Sequence, residues 1–284
     1  LSRFRKEGDT AYRNRIDRDI LVEGDTAEEA NAHFKTLWNG PKVKPMLIGK
    51  YRCLTRPATA PKRLTASRRR AIPPVHRAIL QRDIDAAAAA LDRTWVEFKS
   101  HPKVVQVPSR TDWNHRLQPV DEIRFLSDPG GRKTRGRHTA HHLAALVNRA
   151  KPGETIWIES PYLILTRKAR ALLGEAVRRG VRVVVFTNSL ASTDNLLVQA
   201  VYQREKEAYL ALGIEIIELA GESGREGMET LHAKSMVLER AGIGMVGSFN
   251  IDPRSERLNT EVAIEFHSEA MAAELLRSIR KRIK

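Results

Sequence analysis

Within LHAKSMVLE (231–239), His232 and Lys234 stand two residues apart. On a strand such positions share a face, so an imidazole and an ammonium would lie side by side. VGSFN (246–250) sets Ser248 and Asn250 at the same spacing on a second expected strand, adding a hydroxyl and an amide. This set suits a phosphodiester. Lys234 would bring positive charge to the non-bridging oxygens, and Ser248 and Asn250 neutral donors. All three would stabilise charge developing on a transferred phosphoryl group. An imidazole gives or takes a proton near neutrality, and it can also attack phosphorus. Lysine and neutral donors can do this work in place of a metal, so neither metal nor cofactor is expected.

The elements that must position these residues are legible from about residue 154 onward. TIWIES begins as a strand, 167–179 reads as a helix, and VRVVVFT (181–187) is a near-continuous apolar run, as in a strand buried on both faces. Residues 195–212 read as a helix ending at Gly213. IEIIEL (214–219) is a strand, and further strands are expected at 231–238, 243–248 and 259–266, before a final helix to Arg282. Strands alternating with helices argue for an α/β sheet that is mostly parallel. Nearer the start, 16–23 reads as a strand. Residues 26–38 read as a helix with Thr26 as N-cap, Glu29 three positions on, and an apolar stripe of Ala30, Phe34, Leu37 and Trp38. Residues 41–75 form a basic, proline-rich connector containing Arg68, Arg69 and Arg70. A helix at 76–98, a short strand near Val104–Val107, a loop at 127–137 and a helix at 138–149 complete the reading.

Composition narrows the function classes. The chain has 284 residues and a formal net charge of +15, from 49 Lys+Arg against 34 Asp+Glu. That balance favours a phosphate-bearing partner, either an anionic membrane surface or a nucleic acid. One cysteine, Cys53, excludes a disulfide framework within the chain and a thiolate metal cluster. His138, His141 and His142 have no cysteine near them and read as a helix face rather than a zinc site. IDRDILVEG (16–24) can be laid on LNTEVAIEF (258–266), each a strand with an acid at its fourth position, Asp19 or Glu261. By that repeat, residues 1–40 look like the tail of a unit whose complete copy ends the chain.

HAKSMVLE followed by GSFN resembles the H-x-K-x-x-x-x-D and G-S-x-N signature of the phospholipase D superfamily. The stretches 156–164, 180–194 and 247–261 resemble its bacterial cardiolipin synthase-like members. The resemblance implies a bilobal α/β fold, with a mostly parallel mixed sheet flanked by helices. It divides the chain into a C-terminal remnant of a first lobe (1–40), a basic connector (41–118) and a second, catalytic lobe (119–284). It also implies roles. His232 would protonate the leaving alcohol and then activate the acceptor, while Lys234, Ser248 and Asn250 hold the phosphoryl oxygens. Glu261 would fix the His232 tautomer, and Tyr162 and Asn188 would line the cleft. Glu239 stands where the family has Asp, in a structural role, and the stretch from Glu239 to Gly247 is one residue longer than usual.

Family members place two such motifs around one phosphate, and the whole signature occurs once here: the H-x-K triplets at His33–Lys35 and His101–Lys103 have no acid five residues after the lysine and no G-S-x-N of their own. The expectation is therefore a fragment, inactive by itself, in which Asp19 would orient a missing histidine. Three readings follow. The first is phosphatidyl transfer or phospholipid hydrolysis, with an anionic phospholipid as donor and an alcohol or lipid as acceptor. Such a protein would lie at the bacterial cell membrane, peripherally or through a missing N-terminal anchor, with no obligate protein partner. The second is a nuclease of the same superfamily, and the third a non-catalytic half acting as a binding unit.

Overall fold

Val183, Val184 and Val185 lose all contact with solvent, so the strand that carries them is covered on both faces. A computed structural model of the chain describes residues 13–40, 81–82, 85–86, 89, 93, 117–129, 138–221 and 228–283. The connector with Arg68–Arg70, Cys53, most of the expected 76–98 helix and the 104–107 strand lie outside the described residues. Residues 1–40 and 118–284 form one compact unit, and 41–117 another.

The first unit runs β1 (Arg13–Ile16), α1 (Asp25–Trp38), β2 (Glu122–Ser127), α2 (His138–Arg149), β3 (Thr155–Glu159), α3 (Arg167–Arg178), β4 (Arg182–Asn188), α4 (Leu196–Ala211) and β5 (Glu215–Leu219). It continues with β6 (Met228–Leu231), β7 (Ser235–Leu238), β8 (Ile243–Gly247), α5 (Pro253–Arg257), β9 (Val262–His267) and α6 (Glu269–Arg280). A seven-stranded sheet has the order β2-β9-β8-β7-β3-β4-β5, and β1 pairs with β6 in a separate parallel ladder. Alternate residues feed two cores, as a pleated strand requires. Val183, Val185, Ile156 and Ile158 face Leu146, Leu173 and Tyr209 of α2, α3 and α4. Val184, Phe186, Trp157 and Val237 face Leu275, Leu276 and Ile279 of α6.

The sheet is mixed and flanked by helices, as expected, but its pairings are not mostly parallel. β3–β4 and β4–β5 are parallel, whereas β2–β9, β9–β8, β8–β7 and β7–β3 are antiparallel. Only 239–242 join β7 to β8, and a parallel crossover needs a dozen or more residues. Two other expectations fail locally. The strand expected at 16–23 ends at Ile16, whose carbonyl accepts from both the His232 and Ala233 N–H groups, at 2.8 Å each. Those bonds leave residues 17–23 without a ladder. They also break the strand expected at 231–238 into β6 and β7, with 232–234 between them. In α1, Gly24 with φ 80° is the N-cap, so Thr26 caps nothing and is buried. Phe34 and Trp38 stack on each other, largely exposed.

Candidate active site

Asn188, at the end of β4, sets the approach to the site. Its Oδ1 accepts the Leu231 N–H at 2.8 Å, and its Nδ2 donates to the carbonyls of Leu231 (2.9 Å) and Pro161 (3.2 Å). Both ends of a fully buried amide are thus engaged, so Asn188 does not line a cleft. It clamps β6 one residue before His232, a positioning task in place of the substrate contact expected of it.

His232 and Lys234 are half-buried on the three-residue segment between β6 and β7. Their proximity does not come from strand pleating. Lys234 Nζ folds back to donate to the carbonyl of His232. The carbonyl of Lys234 accepts from Gly247 N–H at 3.0 Å, tying the segment to the end of β8. Burial lowers the Lys234 pKa, opposed by the negative field of Asp17 and, less strongly, of Asp194 and Glu261.

The partner of His232 is Asp17. Its Oδ1 lies 2.7 Å from His232 Nδ1. A carboxylate only accepts, so Nδ1 carries a proton and Nε2 is the nitrogen left for proton transfer. The sequence reading had passed over Asp17. Asp19, two residues on, is exposed and away from this contact. Arg18, between them, donates to the buried carboxylate of Glu159 at 2.9 Å and pins the segment to β3. Burial raises the Glu159 pKa even against that guanidinium.

Glu261 does not meet His232. It accepts from Ser248 Oγ and, at 3.0 Å, from Asn259 Nδ2, while its backbone N–H donates to Asp128 at 3.2 Å. The single O–H of Ser248 is therefore engaged by a carboxylate, and its oxygen accepts the Val262 N–H at 3.0 Å. Asn250 is different, because its Oδ1 is buried with no hydrogen-bond partner. Gly247 has a steric reason to be glycine. A Cβ there would stand 2.4 Å from the Val262 carbonyl oxygen.

Tyr162 donates to Asp194 at 2.8 Å, and Asp194 also meets Arg15 at 3.4 Å. Burial and the Asp194 carboxylate push the Tyr162 hydroxyl up to about 12. Asp194 is a second residue that the sequence reading did not single out. Glu239 stands apart at the other end of β7, roughly 16 Å along an extended chain from Lys234. It accepts from Trp157 at 3.0 Å and from Arg280 at 2.8 Å. Burial opposes ionisation of Glu239, but these donors outweigh it and hold its pKa below the usual carboxylate value. His142 and His267 both bond the buried Glu265, and no metal-binding cluster occurs among the described residues.

Residues 143–283 match the family described as "Cardiolipin synthase, PLD-like domain". This chain carries a phospholipase D-like domain. The chain is 38% identical over 168 residues to cardiolipin synthase C of Escherichia coli K12, covering 53% of this chain and 34% of the relative. It is 36% identical over 122 residues to cardiolipin synthase A of Pseudomonas fluorescens SBW25, covering 43% and 23%. The match thus spans about a third or less of those relatives. A solved phospholipase D family member, Nuc from Salmonella typhimurium, superposes with a TM-score of 0.42 at 17% identity, over 57% of this chain and 93% of that one. Phosphatidylserine synthase from Haemophilus influenzae gives 0.42 at 15% identity, over 56% and 37%. The phospholipase D-like domain holds His232, Lys234, Ser248 and Asn250, whereas Asp17 comes from outside it.

Proposed function

We propose that this chain supplies a histidine-based site for phosphodiester transfer on an anionic phospholipid, with an alcohol or lipid as acceptor. The observation that carries the reading is the 2.7 Å contact of His232 Nδ1 with Asp17, which leaves Nε2 for proton transfer on the same short segment that carries the Lys234 ammonium. His232 would protonate the leaving oxygen and then take the proton of the acceptor, while Asp17 holds the ring. Lys234 would meet the non-bridging oxygens. Turning the Asn250 amide about its last bond would present its N–H donors where Oδ1 now lacks a partner. Ser248 could donate to the phosphoryl group only by leaving Glu261.

A lipid substrate is supported by the similarity to cardiolipin synthases and by Leu190, Leu196 and Leu197. These are 59%, 66% and 83% exposed on the segment that carries Asp194, suited to a lipid surface. No helix among the described residues is long and apolar enough to cross a membrane, so membrane contact through this segment would be peripheral. The reading retains a second histidine motif, supplied by another segment or polypeptide, as nucleophile. Turnover by the 284-residue chain alone would refute that part. In the complete assembly, His232→Ala lowers turnover of phosphatidylglycerol by at least ~10²–10⁴, and near-normal turnover would refute the assignment. The net charge of +15 favours nucleic acid as the alternative substrate. DNA cleavage, with affinity falling steeply with salt, would decide for it.

A further inference from the structure

On the α2/α3 face of the sheet lies a cavity of about 640 Å³ that the proposed chemistry does not use. Ala144 of α2 and Ala169 and Leu172 of α3 form its walls, Ile158 and Met236 its floor, and Ile251 its end. Its size lies within the roughly 300–1,000 Å³ typical of small-ligand sites. None of the described unpartnered buried polar atoms belongs to a lining residue, so nothing in the walls asks for water. The exposed side chains of Lys168 and His141 stand at its rim. Asp252 and Glu256, also at the rim, are already engaged, by the α5 N-terminus and by Thr166.

The cavity shares a wall with the candidate site. A smaller cavity, lined by Lys234 and Gly247, has Leu143, Ile158, Met236, Phe249 and Ile251 in common with it. Phe249 and Ile251 flank Asn250, and Met236 follows Lys234 by two residues. An apolar surface therefore runs from behind the proposed phosphoryl-binding residues to an opening marked by Lys168 and His141.

We propose that this cavity binds one hydrocarbon chain of an anionic phospholipid, with the head group at the Lys168–His141 rim. The proposal goes beyond the lipid reading above and rests on it only for the choice of head group, whose phosphate would lie at this rim and not at His232. Each methylene taken out of water strengthens binding by about fourfold. A cavity of fixed length limits that gain to what it can hold, whereas a flat surface does not.

The test is equilibrium binding to the 284-residue chain, with no turnover required. The probes are monoacyl lysophosphatidylglycerols of increasing chain length, each below its micellar concentration. A fluorescent fatty acid and glycerol phosphate serve as comparisons. Saturable one-to-one binding is expected, with affinity rising about fourfold per methylene and then levelling. Ala144→Phe and Ala169→Phe, which fill the cavity, should weaken it by roughly tenfold or more with little change in Tm. Glycerol phosphate should not compete at comparable concentration. Absence of saturable binding, affinity that climbs without levelling, or indifference to both filled variants would overturn the proposal. So would binding of the fatty acid without the lysophospholipid. If both variants fail to fold, the chain-length series on the unaltered protein decides. Chain binding without phospholipid turnover in the complete assembly sinks the proposed function and leaves the cavity. Turnover without chain binding does the reverse.

Discussion

Replacing Asn188 with alanine tests the claim that this residue builds the site rather than touches substrate. The side chain is fully buried and makes three hydrogen bonds, two to Leu231 and one to Pro161. Alanine removes all three and leaves Leu231 N–H and two carbonyls without that partner, in a place water does not reach. An orphaned buried polar group costs about 1–3 kcal/mol. The N–H is the harder loss, because each carbonyl keeps a second lone pair. The expected total is about 2–4 kcal/mol, a large part of the roughly 5–15 kcal/mol that holds a domain together. Urea unfolding at neutral pH, followed by circular dichroism, should show a lower midpoint with an unchanged slope. Hydrogen exchange should show the Leu231 amide opening faster. A loss below about 0.5 kcal/mol, in the range of an ordinary surface substitution, would refute the reasoning and return Asn188 to the cleft.

Asp17→Ala should lower turnover of a soluble phosphodiester by about tenfold in the complete assembly. It removes a charged hydrogen bond that Asp17, 46% exposed, shares with water. Stability should change by less than about 1 kcal/mol, so unfolding and kinetics on the same variant separate positioning from folding. Gly247→Ala should destabilise by about 1–3 kcal/mol, since its Cβ would press on the Val262 carbonyl at 2.4 Å; thermal unfolding reads this directly. Glu239 has a lowered pKa, so its ionised form stabilises the fold above the pKa of the unfolded chain, and that support is lost as pH falls through the lower folded value. The Tm gap between the unaltered protein and Glu239→Gln should therefore be widest near neutrality and shrink in acid. A gap that widens in acid would refute the ion-pair role with Arg280.

The second half of the fold was legible because its strands and helices are driven by local pattern. The apolar run at 183–186 could only be a doubly covered strand, and Gly213 ends α4 with a φ of 83°. Pairing direction was less legible, because alternation of strand and helix describes β3–α3–β4–α4–β5 but not the hairpin of β7 and β8 that follows. The residue types of the site were legible, while their partners were not. Asp17 and His232 are 215 positions apart, and nothing in either segment announces their contact. The repeat that drew attention to Asp19 and Glu261 rests on strand spacing, and the first strand stops at Ile16. Glu261 and Ser248 lie side by side at the adjoining ends of β9 and β8, so Glu261 meets that hydroxyl before any imidazole. Asn188 was expected to line the cleft, whereas it is buried beneath it. Its burial depends on β6, a strand 40 residues later in the chain.

The most direct test of the central claim is whether the His232–Lys234 segment holds a phosphoryl group. The ring protons of His232 can be followed by NMR while inorganic phosphate is added to the 284-residue chain. The account predicts a saturable shift of the His232 signals that Lys234→Ala removes, with the other histidine signals unmoved. Equal shifts with and without the lysine, or none in the unaltered protein, would contradict it.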